Sequence, residues 1–366
     1  MYSTKIPLIS PEIPPFSEIE HELKEVWDSG ILTNHGPVEQ SLEERLKSFT
    51  SVKFVHTCVN GTEALKVALK SLPFSTGEII TTPFSWISSA NAIISSGFTP
   101  RFVDIDPETL NIDINAIENA IHKETVGILA VHVFGNPCNI DAISAIAQKY
   151  SLATIFDAAH AMGSTYDGKS VFMYGDISTV SFHSTKIVGS GEGGAIFTNK
   201  QTISSRAQEF INFGFNPSKT LTKISSNLKF NELAAFMCGK SLALLPQTIK
   251  ARKRVNDIYR TELDFPGIRF QTLQNGTNYS YFPIIFENEE NLCRAMESLK
   301  NSSIDSRRYF YPLLNSYSLI IKKSKSETII NSEEISNKIL ILPSYSALSD
   351  QDIERVIKAV SSAHGK

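Results

Sequence analysis

Between residues 78 and 156 the chain alternates short runs of β-branched and aromatic residues with longer stretches in which apolar positions recur every three to four residues. That rhythm predicts strands over 78–82, 101–105, 126–133 and 152–156, with helices around 85–96, 113–122 and 140–150 between them. Strands alternating with helices build a mostly parallel sheet covered on both faces, and ligands of such sheets gather at the carboxyl ends of the strands. Upstream, prolines at 7, 11, 14 and 15 mark an arm leading into a helix from Phe16 to Trp27, closed at Gly30. Pro37 opens a second helix, with Val38, Leu42, Leu46 and Phe49 on one face. A strand at 54–57, the turn Asn60-Gly61-Thr62 and a helix over 63–72 complete this part.

Downstream, Ser178 to Phe182 and Gly194 to Thr198 read as strands, and 200–213 and 231–245 as helices. Near Pro246 the pattern changes to a charged helix over 248–263, followed by strands at 267–273, 280–286 and 338–342 and helices at 289–300 and 349–362. The expected organisation is a large α/β domain with an amino-terminal arm over 1–246 and a small α+β domain over 247–366. Residues 315–337 are polar enough to read as a mobile loop.

At 366 residues the chain is longer than the roughly 250–300 residues of one hydrophobic core, which agrees with two units. Its hydrophobic content of 42% and charged content of 20% are those of a globular protein, and a net charge of −3 without basic clusters argues against nucleic acid as partner. No apolar run reaches the roughly 18 residues that span a bilayer, and the stretch Met1 to Pro15 is too polar for a secretory leader, so a cytoplasmic location without membrane contact is expected. Cys58, Cys138, Cys238 and Cys293 stand at no metal-ligand spacing and the histidines form no cluster, so no metal site is expected.

Candidate chemistry lies at three strand ends. Lys186 follows the 178–182 run and precedes four glycines in six residues, Gly189 to Gly194. A lysine at the end of a buried strand loses water, which favours the neutral amine that attacks a carbonyl. Asp157 follows the run Leu152 to Phe156, where a carboxylate needs a cationic partner such as a protonated pyridine nitrogen or else serves as a helix cap. The turn at Gly61 and Thr62 opens a helix whose unpaired amides suit a phosphate, although the same turn suits an ordinary helix cap. Gly189-x-Gly191-x-x-Gly194 matches the dinucleotide fingerprint in letters, but a strand follows where that fingerprint requires a helix. Those glycines read better as backbone passing close beside a flat ring held by Lys186.

The ordered set Asn60-Gly61-Thr62, Thr82-Pro83-Phe84-Ser85-Trp86, Phe156-Asp157-Ala158-Ala159-His160, Ser181-Phe182-His183-Ser184-Thr185-Lys186 and Gly191-Glu192-Gly193-Gly194 closely resembles the pyridoxal-phosphate-dependent sugar aminotransferases of the DegT/DnrJ/StrS family. Gly36-Pro37, Val131-His132-Val133-Phe134-Gly135, Asn227 with Lys229, and Ile341-Leu342-Pro343 extend the resemblance over nearly the whole chain. It implies the type I fold of pyridoxal phosphate enzymes, with a mostly parallel seven-stranded sheet flanked by helices and a smaller carboxyl-terminal α+β domain. It makes Lys186 the Schiff-base lysine and proton shuttle and Asp157 the partner of the ring nitrogen. Gly61, Thr62 and Ser181 are implied to hold the phosphate, Trp86 to stack on the ring and His160 to sit by the ring hydroxyl, where the family more often has Gln. Asn227 is implied to reach the neighbouring subunit's cofactor, hence a homodimer with shared active sites. Phe213-Gly214 and Asn60-Gly61-Thr62 replace the family's usual His-Gly and Ser-Gly-Thr, and neither change removes a group the chemistry needs.

The resemblance further implies L-glutamate as amino donor and a nucleotide-linked keto sugar as acceptor. The segment Ser306 to Pro312 is similar to that of members aminating sugar C-4, which points to dTDP-4-keto-6-deoxy-D-glucose as acceptor and dTDP-4-amino-4,6-dideoxy-D-glucose as product, for O-antigen or lipopolysaccharide synthesis. Lys219, Arg308, Tyr309 and Tyr311 are the expected substrate contacts. A C-3 aminotransferase, a transaminase of a free cyclitol or small keto acid, and a regulatory protein without turnover stay open as alternatives.

Overall fold

The computed structural model describes residues 5–363. The chain begins with helices α1 (Phe16–Asp28) and α2 (Pro37–Thr50) and then alternates: β1 (Phe54–Cys58), α3 (Gly61–Lys70), β2 (Glu78–Thr81), α4 (Ile87–Ser95), β3 (Thr99–Phe102), α5 (Ile114–Asn119), β4 (Thr125–Val131), α6 (Ile140–Tyr150) and β5 (Ala153–Asp157). A two-residue hairpin, β6 (Thr165–Tyr166) with β7 (Lys169–Ser170), precedes β8 (Ile177–Ser181), β9 (Gly194–Thr198) and α7 (Gln201–Ile211). After α8 (Glu232–Glu262) come β10 (Ile268–Phe270), β11 (Phe282–Phe286), α9 (Glu289–Asn301), α10 (Ser318–Ile321), β12 (Lys325–Ser326), α11 (Ile330–Lys338), β13 (Ile339–Leu342) and α12 (Asp350–Ala363).

Seven strands and the two-residue β12 form one sheet in the order β1-β9-β8-β5-β4-β2-β3-β12. Within it β9 alone runs against its neighbours, pairing antiparallel with both β1 and β8. Alternate side chains feed two apolar layers: Leu129, Val131 and Ile155 join the cluster on one face, and Ile128, Ala130 and Phe156 that on the other. The three-stranded sheet β10-β11-β13 has a separate apolar cluster built with α8, α9 and α12, including Tyr259, Phe282, Leu292 and Val356. No described helix is long and apolar enough to cross a membrane.

Two expectations change. The helices expected at 231–245 and 248–263 are one 31-residue helix running through Pro246. Proline removes one backbone hydrogen bond, but Leu242, Leu245, Thr248, Arg252 and Val255 continue a buried face across it, and that packing holds the helix together. Residues 315–337 are not a loop throughout, since α10, β12 and part of α11 fall there. Charges hold β12 at the sheet edge: buried Glu78 accepts from Arg101 Nε at 2.6 Å and also pairs with Lys325, while Arg101 pairs with Glu327. Polar anchoring of this kind leaves no apolar period to read.

Candidate active site

Asp157 is the last residue of β5, Ser181 the last of β8, and Gly61 the first of α3, so all three stand where the central strands end. They border a cleft of about 470 Å³ together with Lys186. Asn60 caps α3, its side chain accepting from the Glu63 amide at 2.9 Å, an interaction worth about 1 kcal/mol in helices generally. The cap meets one amide, and the remaining first-turn amides have no acceptor within the helix and border the cleft. A Cβ at Gly61 would lie 2.7 Å from Ser181 Cβ, so only glycine lets the helix start lie against the end of β8.

Two of the glycines after Lys186 are set against neighbouring protein. A Cβ at Gly194 would stand 2.6 Å from the carbonyl carbon of Asn60, and one at Gly193 would stand 2.8 Å from the Phe230 ring. They admit neighbouring protein, and in doing so they bring β9 against the turn that starts α3.

Asp157 is buried, and burial pushes its carboxyl above the ordinary range. Its Oδ2 accepts from Ser89 Oγ at 2.9 Å and its Oδ1 from the Ala159 amide at 3.1 Å, with Ser85 Oγ 2.9 Å from Ser89. Those neutral donors orient the carboxylate without neutralising it. Lys186 keeps contact with the cleft, yet loss of solvation around its amine lowers its pKa, partly offset by Tyr309 and Asp157. Its Nζ lies 6.0 Å from the centroid of the Tyr281 ring. Tyr281 is buried, its phenol pushed up to about 12 by that burial.

His160 stacks with Phe134 and Phe310 at ring separations of 6.2 and 6.3 Å and meets Tyr281 at 4.7 Å. Burial holds its imidazole neutral, and its Nδ1 is a buried nitrogen without a hydrogen-bond partner among the described residues. Trp86, at the N-cap of α4 and 53% exposed, covers the cleft mouth and meets Tyr309 edge to face at 5.9 Å.

The cleft thus gathers Gly61, Thr62, Trp86, Asp157, His160, Ser181, Lys186 and Tyr309. Four other residues singled out from the sequence lie elsewhere in the chain. Asn227 and Lys219 stand exposed on the excursion between α7 and α8, where Asn227 bridges Asn212 and Lys219 sits in a turn at φ +59°. Arg308 pairs with Glu289 at 2.9 Å and lies 3.5 Å over the Tyr311 ring, outside the cleft lining. Arg307 lines the cleft in place of Arg308. Backbone pairing of Arg307 with Ile341 gives the segment a strand-like alternation, so Arg307 and Tyr309 share a side and Arg308 points away. That alternation is imposed by Ile341 from a distant segment, so the sequence carried no local signal for Arg307, nor for Ser89 or Tyr281.

A family model described as the DegT/DnrJ/EryC1/StrS aminotransferase family matches residues 16–361. The chain is 38% identical over 355 residues to the dTDP-4-amino-4,6-dideoxy-D-glucose transaminase of Shigella dysenteriae, covering 96% of each chain. Among solved structures it resembles DesI determined with its TDP-sugar product, at TM-score 0.91 and 28% identity over 99% of this chain and 94% of that one. It also resembles NtdA of Bacillus subtilis with bound cofactor PMP, at TM-score 0.89 and 26% identity over 97% and 86%.

Proposed function

Because the chain belongs to the DegT/DnrJ/EryC1/StrS aminotransferase family, we propose that it uses pyridoxal phosphate to move an amino group from L-glutamate to dTDP-4-keto-6-deoxy-D-glucose, yielding dTDP-4-amino-4,6-dideoxy-D-glucose. One observation carries the reading: a desolvated lysine amine, a buried carboxylate that forms no ion pair among the described residues and a helix amino terminus share one cleft.

The residues fit the cofactor. Asp157 offers a buried negative charge to a ring nitrogen, His160 has a free buried nitrogen, and the start of α3 with Thr62 and Ser181 presents donors to a phosphate. When bound, pyridoxal phosphate supplies a protonated ring that withdraws electrons from the carbon losing or gaining a proton. Asp157 keeps the proton on the ring nitrogen by its charge. Lys186 binds the cofactor and, once free, takes a proton on Nζ and returns it to a neighbouring carbon, a role that its lowered pKa suits. Trp86 and Phe310 exclude water from one side of the cleft. Phe310 stands where C-3 members tend to carry histidine, which favours C-4.

The proposal includes a homodimer in the cytoplasm. The excursion between α7 and α8 exposes Phe213, Phe215, Leu221 and Ile224, an apolar set suited to a second copy, and in the proposed dimer Asn227 and Lys219 of this excursion would serve that copy's cleft. It also keeps the division into 1–246 and 247–366, supported by the separate apolar cluster of the smaller sheet, with α8 running across the boundary and β12 of the second unit joining the edge of the large sheet. The test is an amination assay with dTDP-4-keto-6-deoxy-D-glucose and L-glutamate, with the product's nitrogen located by NMR. Nitrogen at C-3, or turnover only with free sugars, would overturn the substrate.

A further inference from the structure

We propose that Arg307 binds the α-carboxylate of the amino donor, an inference that rests on the transaminase reading above. Lys186 and Arg307 are the two Lys or Arg side chains lining the cleft. Lys186 handles the proton, which leaves Arg307 as the cation available to an anionic ligand. Among the described residues Arg307 has no acidic partner, whereas Arg308 is committed to Glu289 at 2.9 Å and to the carbonyls of Ser336 and Asn337 at 3.4 and 3.3 Å.

The Arg307 fork is aimed before any ligand arrives. Its amide donates to the Ile341 carbonyl at 3.4 Å and its carbonyl accepts from the Ile341 amide at 2.8 Å. Its Nη1 donates to Tyr309 Oη at 2.7 Å, leaving the other guanidinium donors for an oxyanion. The Tyr309 phenol that accepts from this fork also acts electrostatically on the Lys186 amine, and the Tyr281 ring lies 6.0 Å from both the Tyr309 ring and the Lys186 Nζ.

Proximity to Lys186 selects the anion. In an α-amino acid the carboxylate is bonded directly to the carbon that gives up its proton. In a nucleotide sugar the diphosphate is separated from the reacting carbon by the hexose ring. An arginine one phenol away from the proton carrier therefore matches the donor's carboxylate. Bidentate geometry also makes lysine a poor substitute.

The test uses full-length, cofactor-loaded protein with Arg307→Gln and Arg307→Lys. Calorimetric titration with glutarate, a non-reacting dicarboxylate, should show affinity reduced about tenfold to a hundredfold in Arg307→Gln and less in Arg307→Lys. KM for L-glutamate should rise in parallel with a smaller change in kcat, and KM for the keto sugar should stay unchanged. Wild-type glutarate affinity in Arg307→Gln, or a defect confined to the keto sugar's KM, overturns the assignment. Arg307-dependent glutarate binding by a protein that aminates no sugar would support the carboxylate site and defeat the sugar transaminase reading.

Discussion

The floor of the cleft and its rim are held by different forces. Asp157 and Ser181 end strands whose backbones are fixed by ladder pairs, Asp157 opposite Thr179 and Ser181 opposite Gly194, and the polar atoms of Asp157 are met by designated donors. Trp86, Arg307 and Tyr309 at the rim belong to no named strand; they are tied by ring contacts of Tyr309 with Trp86 and Tyr281, by the Arg307–Tyr309 hydrogen bond and by the bridge from Arg307 to Ile341. A buried, ladder-fixed floor keeps charges in place at low reorganisation cost, as reactions that create charge demand. The rim, more exposed and tied chiefly through side chains, suits recognition of changing partners, since a transaminase admits two substrates in turn. Substitutions in the floor should therefore act on the chemical step, and those in the rim on substrate affinity.

The largest effect belongs to Lys186→Ala. On the proposed mechanism this removes both the cofactor-linking amine and the proton carrier, and turnover should fall by at least about 10³-fold. Covalent capture of the cofactor, read by mass after borohydride reduction, should vanish while noncovalent binding through the α3 amides and Asp157 persists. Turnover near wild type would place the proton carrier elsewhere.

Asp157→Asn comes next, with roughly a 10²-fold loss in kcat expected from removal of the charge that holds the ring proton. It also tests the floor without its cofactor. Burial raises the folded-state pKa of Asp157 above its ordinary value, so the cofactor-free protein holds that proton more tightly when folded than when unfolded. Its stability should fall as pH rises through the carboxylate range, and Asp157→Asn should lack this fall. Loading the cofactor, whose ring nitrogen is cationic, should remove the fall in wild type too. Melting curves with and without cofactor decide it, and parallel curves for both proteins would refute the unpaired carboxylate.

The same contrast explains what was legible in the sequence. Asp157 and Lys186 follow short apolar or β-branched runs and Gly61 opens a helix, so their places at or just beyond strand ends followed from pattern, with Lys186 in the turn after β8. Arg307 was passed over for Arg308 because its orientation depends on a single bridge to Ile341, a residue 34 positions away in sequence. Tyr281 immediately precedes a strand that reads only as core, and its place beside Lys186 comes from how β11 meets the large sheet. The β12 edge strand was hidden because Lys325 and Glu327 are held by ion pairs with Glu78 and Arg101. Local apolar periodicity reports burial, so contacts made by polar groups between distant segments leave no trace in it.

Tyr309→Phe probes the rim. It removes the acceptor that aims Arg307 while keeping the ring that meets Trp86 and Tyr281. A single hydrogen bond to a charged group predicts a loss of about tenfold in kcat/KM for glutamate, carried mainly by KM. A loss carried by kcat alone would move Tyr309 from recognition into proton transfer and blur the division between rim and floor.

Glu39→Gln should leave turnover unchanged and alter only how the floor's support responds to pH. Beneath the α3 turn, the Thr57 hydroxyl lies 2.8 Å from Glu39 Oε1 and 3.1 Å from Glu43 Oε1. A hydroxyl carries one proton, so it cannot satisfy both carboxylates, and Glu39 Oε2 is buried with no partner among the described residues. Burial pushes Glu39 from 4.5 up to about 7. With its folded-state pKa raised, the folded protein favours the protonated acid, so stability is fully present below the unfolded value and declines as pH rises from 4.5 to about 7. The decline should reach at most about 3 kcal/mol, and Glu39→Gln, which never ionises, should show a flatter profile and a higher Tm in mildly alkaline buffer. Denaturant titrations of both proteins across this range supply the measurement. Equal slopes would mean that Glu39 is ionised in the folded protein and that the floor rests on a charged, not a protonated, acid pair.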